Sequence, residues 1–135
     1  MAFGYGAGAY QQVRSHGGVE SADAHGLIAM LMDGAIERLI RARSHMERGE
    51  IAAKADVMTR IMDIVSELRG SLDTKVESPL VGQLSALYDY MGNRLLHANL
   101  HNDVTAVDEV HRLLKQLRDA WKQVPTEART KSAAP

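Results

Sequence analysis

The sequence predicts an all-α fold: an antiparallel four-helix bundle with a mobile N-terminal arm and a disordered C-terminal tail. Three observations predict it. Apolar residues make up 45% of the 135-residue chain, enough for one domain with a sizeable core. They recur at helical spacing in four stretches of similar length, and no Val/Ile/Thr alternation suggests a strand. The third and fourth stretches are joined by a very short link, which forces them antiparallel.

Residues 1–22 form the expected arm. Gly4, Gly6, Gly8, Gly17 and Gly18 add chain entropy that folding must overcome. Within it, Tyr10 and Val13 share one side of a single helical turn. Residues 8–16 are expected to cap part of an apolar groove, with permanent packing on the bundle or contact with another protein as the alternatives. The bundle itself should span residues 23–124. Its first helix is expected from Ala24 to Arg48, with Asp23 as N-cap and Gly49 as the stop. The second should run from Glu50 or Ala53 to Leu72, and DTKVESP should be a loop. Ser78-Pro79 reads as cap and first position of a helix that continues to His101. Asn102 or Asp103 should cap the fourth helix, which ends near Val124. At 1.5 Å per residue each helix spans roughly 30–37 Å. Residues 125–135 lack apolar periodicity and form the expected tail.

The apolar faces differ in width. Val107, Val110, Leu114, Leu117, Trp121 and Val124 are spaced 3-4-3-4-3, a stripe about 100° wide that suits a core. Truncating Leu114 or Trp121 should therefore leave a cavity. The second helix carries Val57, Met58, Ile61, Met62, Ile64, Val65, Leu68 and Leu72 over an arc of about 160°. The first is wider still, from Leu27 and Ile28 through Met32 and Ile36 to Leu39 and Ile40. Either it sits centrally, touched on several sides, or the surplus lines an exposed groove. Met32, Met58 and Met62 lie near the edges of these arcs, where flexible thioethers suit varied partners. Glutamine at Met58 or Met62 is accordingly expected to cost more affinity than stability.

The formal charge is −1 with both signs interspersed, and there is no cysteine. Nucleic-acid binding, disulfides and thiolate metal sites are thereby argued against. MAFGYGAGAYQQVRSHGG has no basic stretch followed by an apolar run, so no signal peptide is expected. The longest apolar run, Leu27–Met32, is far short of the roughly 20 residues of a membrane helix. Stable membrane insertion is not expected, and the chain reads as a soluble cytoplasmic domain. His97 and His101 share a helix face but lack the Glu of a zinc-protease motif. Asp108-x-x-His111 has no second copy to make a di-iron bundle. With no nucleophile elbow and no phosphate loop, no catalytic residue, metal or cofactor is expected, and the chain is read as a non-enzyme. By angle, Tyr90, Arg94, His97 and His101 form a semi-polar strip beside the Leu84–Tyr88–Met91–Leu95–Ala98 stripe.

The stretches LIAMLMDGAIERLIRAR (27–43), LYDYM (87–91), LLHANLHND (95–103), EVHRLL (109–114) and AWKQV (120–124) closely resemble the FliS family of flagellar secretion chaperones. The likeness runs from Tyr10 to about Val124 and is weakest in the second helix. Asp23-Ala24 stands where the family often has Ser-Pro. Met32 stands where an aromatic is common, and Glu77-Ser78-Pro79 where Gly-Gly is common. The resemblance implies a cytoplasmic chaperone that binds the disordered C-terminal segment of flagellin and prevents premature polymerisation. It also implies delivery to the flagellar type III export apparatus through its export-gate membrane protein. Other flagellar regulators are possible further partners, and the chain itself is expected to be a monomer or weak homodimer. A bundle that buries its surplus apolar surface against its own copy is the alternative. Residues assigned to a flagellin-binding groove are Tyr10, Val13, Met32, Ile36, Val57, Met58, Ile61, Met62, Tyr90, Arg94 and His97.

Overall fold

The computed structural model describes residues 20–73 and 78–123. They form four helices: α1 (Glu20–Glu47), α2 (Ile51–Gly70), α3 (Pro79–His101) and α4 (Val104–Gln123). The arm with Tyr10, Val13 and the expected cap, the junction at 74–77 and the tail lie outside the described residues, except that 20–22 are already helical. Asp23, expected as an N-cap, is therefore inside α1.

The turns follow local chemistry. Gly49 has φ +69, the left-handed conformation that glycine enters without Cβ strain. Its N–H donates to Met46 O and that of Glu50 to His45 O, closing α1 before α2 begins. At the start of α3, Ser78 Oγ accepts from the Leu80 N–H at 3.2 Å and Pro79 fills the first helical position. Asn102 adopts φ 52 as the C-cap of α3, and its side-chain amide reaches across to Met46 O at 3.3 Å. Asp103 then caps α4, its Oδ1 accepting from the N–H groups of Thr105 and Ala106. One residue ends a helix and the next begins another, which reverses the chain.

The helices form a closed ring. α1 packs on α2 and α4, and α3 packs on the same two; among the described residues the backbones of the diagonal pairs α1/α3 and α2/α4 stay apart. Thus α1 is not central, and its wide apolar arc spills onto both of its edges. The core takes Ile28, Met32, Ala35, Leu39, Ala42 and Met46 from α1, and Val57, Met58, Ile61, Val65 and Leu68 from α2. Tyr88, Met91, Leu95 and Ala98 of α3 and Ala106, Val107, Val110 and Leu114 of α4 complete it. Burial pushes the Tyr88 hydroxyl up to about 12.

Leu114 is core as expected, but Trp121 is only half-buried. Its ring stacks on His25 with centroids 4.2 Å apart. Trp121 Nε1 donates to His25 O at 3.1 Å, and His25 Nε2 lies 3.2 Å from Trp121 O. A carbonyl only accepts, so the proton sits on Nε2. The first turns of α1 are thereby clasped to the end of α4.

Candidate functional site

Four seams separate neighbouring helices, and the sequence-assigned residues fall into different ones. On the α3/α4 seam, Tyr90 Oη donates to Glu109 Oε2 at 2.6 Å and Arg94 Nε to Glu109 Oε1 at 2.8 Å. His97 Nε2 lies 3.1 Å from Asp103 Oδ2, and its ring is 4.6 Å from that of His101. The expected polar strip exists, but the polar groups of Tyr90, Arg94 and His97 are turned onto α4. Among the described residues, no group of three or more His, Cys, Asp or Glu side chains could hold a metal ion.

These contacts leave an electrostatic trace. Tyr90 and then Arg94 hold Glu109 below the ordinary carboxylate value, through their hydrogen bonds. At Asp103 desolvation pushes upward, but hydrogen bonds from Ala106, His97 and Thr105 outweigh it and the net shift is downward. A carboxylate held low in the folded state contributes stability above its unfolded pKa, and that contribution is lost as pH falls through the folded value. The bundle should therefore lose thermal stability on acidification below the ordinary carboxylate range. Glu109→Gln should flatten that dependence in melts from pH 7 to 3. An unchanged profile in the variant would show that the seam is not coupled to folding.

The α1/α4 seam is spanned by ion pairs at two heights, Arg43 with Asp108 and Asp33 with Arg118 at 2.6 Å. Ile36 and Ile40 lie between them in sequence, Ile36 half-buried and Ile40 exposed. The α2/α3 seam holds half-buried Met62. Arg69 bridges to Asp89 at 2.5 Å, and the buried Lys54 donates from Nζ to Asn99 O at 2.9 Å. A Cβ placed on Gly92 would meet nothing within 4 Å, so α3 is open there. By helical register Ile51, Leu96 and Leu100 flank the same edge, and all three are exposed, Leu100 by 69%.

Met32, Met58 and Ile61 are no more than 1% exposed and Val57 is 7% exposed, so these four assigned residues build the core that supports the seams. Ile36 and Met62 reach the edges of two different seams. Sequence reasoning missed Lys54, whose polar head hid its place in the α2 stripe. It also passed over Leu96 and Leu100, although their i, i+4 spacing off the α3 core stripe was a visible signal of surplus apolar surface.

A complete helical core edged by exposed aliphatic side chains defines an all-helical bundle protein, and known proteins show its class. Residues 6–128 match the family model described as "Flagellar protein FliS". The chain is 43% identical over 121 residues to the "Flagellar secretion chaperone FliS" of Salmonella typhimurium, covering 89% of this chain and 90% of that protein. It is 41% identical over 112 residues to the "Flagellar secretion chaperone FliSB" of Pseudomonas aeruginosa, with coverage of 83% and 89%. With the protein of the same name as the first from Bacillus subtilis, identity is 33% over 115 residues, covering 85% and 82%. These are chaperones of flagellar secretion and not enzymes. The chain belongs to the FliS family.

Proposed function

We propose that the protein is a cytoplasmic export chaperone that holds flagellin by its disordered C-terminal segment. Holding that segment prevents premature polymerisation and keeps the subunit ready for the flagellar type III export apparatus, reached through the export-gate membrane protein. Among the described residues no helix is long and apolar enough to cross a membrane. The observation that carries the reading is the apolar surplus: on a chain of the FliS family with a closed core, Met30, Ile40, Ile51, Leu80, Leu96 and Leu100 remain exposed.

An unfolded client that forms amphipathic helices would lay its apolar faces along such seams. In this reading Ile36 and Met62 supply contact surface, while Met32, Val57, Met58 and Ile61 hold the helices that present it. Tyr90, Arg94 and His97 give a polar border. Tyr10 and Val13 of the arm compete for the groove before the client arrives.

The test is calorimetric titration with the same organism's flagellin, whole and lacking its C-terminal segment. Coupled folding of the client should give a negative heat-capacity change, a one-to-one complex by light scattering, and loss of binding on truncation. Equal affinity for both flagellins would refute the assigned client segment. A stable dimer that ignores flagellin would favour the self-associating bundle.

A further inference from the structure

We infer that the α3/α4 seam, from Arg94 towards the start of α3, is a docking groove for an amphipathic client segment. The client's apolar face covers Leu87 and Leu113, and an acidic side chain on its border meets Arg94 and Arg112. The inference rests on the flagellin-binding reading and specifies what the client segment must carry.

The groove exists because the bundle closes unevenly. α1 supplies core residues from Ile28 to Met46 and α2 from Val57 to Leu68. In α3 no residue before Tyr88 is buried, and in α4 none after Leu114. The hydrogen bonds of Tyr90 and Arg94 to Glu109 fix the register of this antiparallel pair. Beyond them, towards the start of α3, helical spacing sets Leu84 and Leu87 across from Leu113 and Leu117. All four are only half-buried, and Leu80 at the far end is 60% exposed. Gln83 and Gln116, at the same spacing as Tyr90 and Glu109, give the groove exposed and uncharged rims. From Tyr90 to Leu80 it runs about 15 Å, close to three turns of a client helix.

Charge gathers at the other end. Both oxygens of Glu109 are taken, one by Tyr90 and one by Arg94 Nε. The terminal nitrogens of Arg94 donate to no described residue. Arg112, one turn after Glu109 on α4, is exposed, and its charge helps to hold the Glu109 carboxylate low. It makes no direct ion pair or hydrogen bond among the described residues, and Asp108, one turn before it, is bound by Arg43. Two guanidinium groups therefore share one carboxylate. A client helix laid over the leucines would draw water away from that surplus positive charge, which is costly unless an anion arrives with it. A carboxylate beside the client's apolar face supplies it, and the guanidinium fork is shaped to take one.

The two ends of the chain do not fit this description. Residues 1–19 contain Arg14 and no acid. Residues 124–135 pair Glu127 with Arg129 and Lys131, and after Val124 offer only alanine and proline as apolar groups. Charge complementarity thus selects a separate chain.

The experiment titrates whole flagellin into the wild-type chain, Arg112→Gln and Arg112→Glu, each at low and high salt. Arg60→Gln is the control: it removes the same charge from an exposed position on α2, whose backbone stays apart from α4. Arg112→Gln should bind more weakly with a shallower salt dependence, and Arg112→Glu should weaken binding about tenfold or more. Arg60→Gln should bind as wild type does. All three variants should melt close to wild type when free, since each changes an exposed side chain. If Arg112→Glu matches wild type, or Arg60→Gln loses as much as Arg112→Gln, the inference is wrong while the flagellin reading stands. A wild-type dimer by light scattering that Arg112→Glu dissociates would give the groove to a second copy and overturn the inference. A wild-type chain that does not bind flagellin removes both.

Discussion

Glutamine at Met58 should lower the stability of the free bundle by about 2–4 kcal/mol, the cost of burying an amide without partners. The two side chains are close in length and volume, so the effect is not a cavity. It comes from the position: Met58 is fully buried, in a core cluster whose members, Tyr88 and Trp121 apart, are hydrocarbon and thioether side chains. The matched control is Met62→Gln, one turn later and only half-buried. There the amide turns to water, and the cost should stay within about 1 kcal/mol. Urea melts read the first quantity and flagellin titration the second. Met58→Gln that remains folded should bind flagellin as wild type does, whereas Met62→Gln should bind more weakly at nearly unchanged stability. A Met58 variant with a normal melt and impaired binding would return Met58 to the groove.

This pair shows where the sequence was legible and where it stopped. Periodicity sets Met58 and Met62 on the same flank of the α2 arc. What periodicity lacks is the neighbour. Met58 is fully buried in the shared core, and Met62, one turn later, is only half-buried. Local chemistry was readable at Ser78-Pro79, at Gly49 and at the Asn102-Asp103 reversal, because each acts on its own backbone within a few residues. The start of α1 was not, since Asp23 is as compatible with a first turn as with a cap. Trp121 fits the α4 stripe, yet it lies at the end of the helix, where its cover is His25, 96 residues away in the chain.

The polar strip of α3 repeats the lesson in electrostatic form. The angles of Tyr90, Arg94 and His97 were legible, but their partners Glu109 and Asp103 belong to the adjoining turn and helix.

Lys54→Glu should cost about 3–5 kcal/mol, the scale of an uncompensated buried charge. Lys54 is 5% exposed, and its Nζ donates to Asn99 O at 2.9 Å. Asn99 is in the last turn of α3, where carbonyls lack partners within the helix and the dipole is negative. The ammonium thus ties α2 to the end of α3, beside the edge that carries Ile51, Leu96 and Leu100. A carboxylate in its place would face carbonyl oxygens with no proton to share. Lys54→Met separates charge from packing: the stem is conserved, the desolvated charge goes, and Asn99 O loses its donor. These opposing changes should leave a net loss of about 1 kcal/mol. Denaturant melts should therefore rank wild type above Met and Met far above Glu. The Met variant, still folded, should keep its affinity for flagellin if Leu96 and Leu100 are held mainly by the packing of α3 on α2. Weakened binding by a stable Lys54→Met variant would instead show that the Asn99 tether sets the presentation of that edge. A Glu variant as stable as wild type would mean that the ammonium of Lys54 does not bear on the end of α3 in solution.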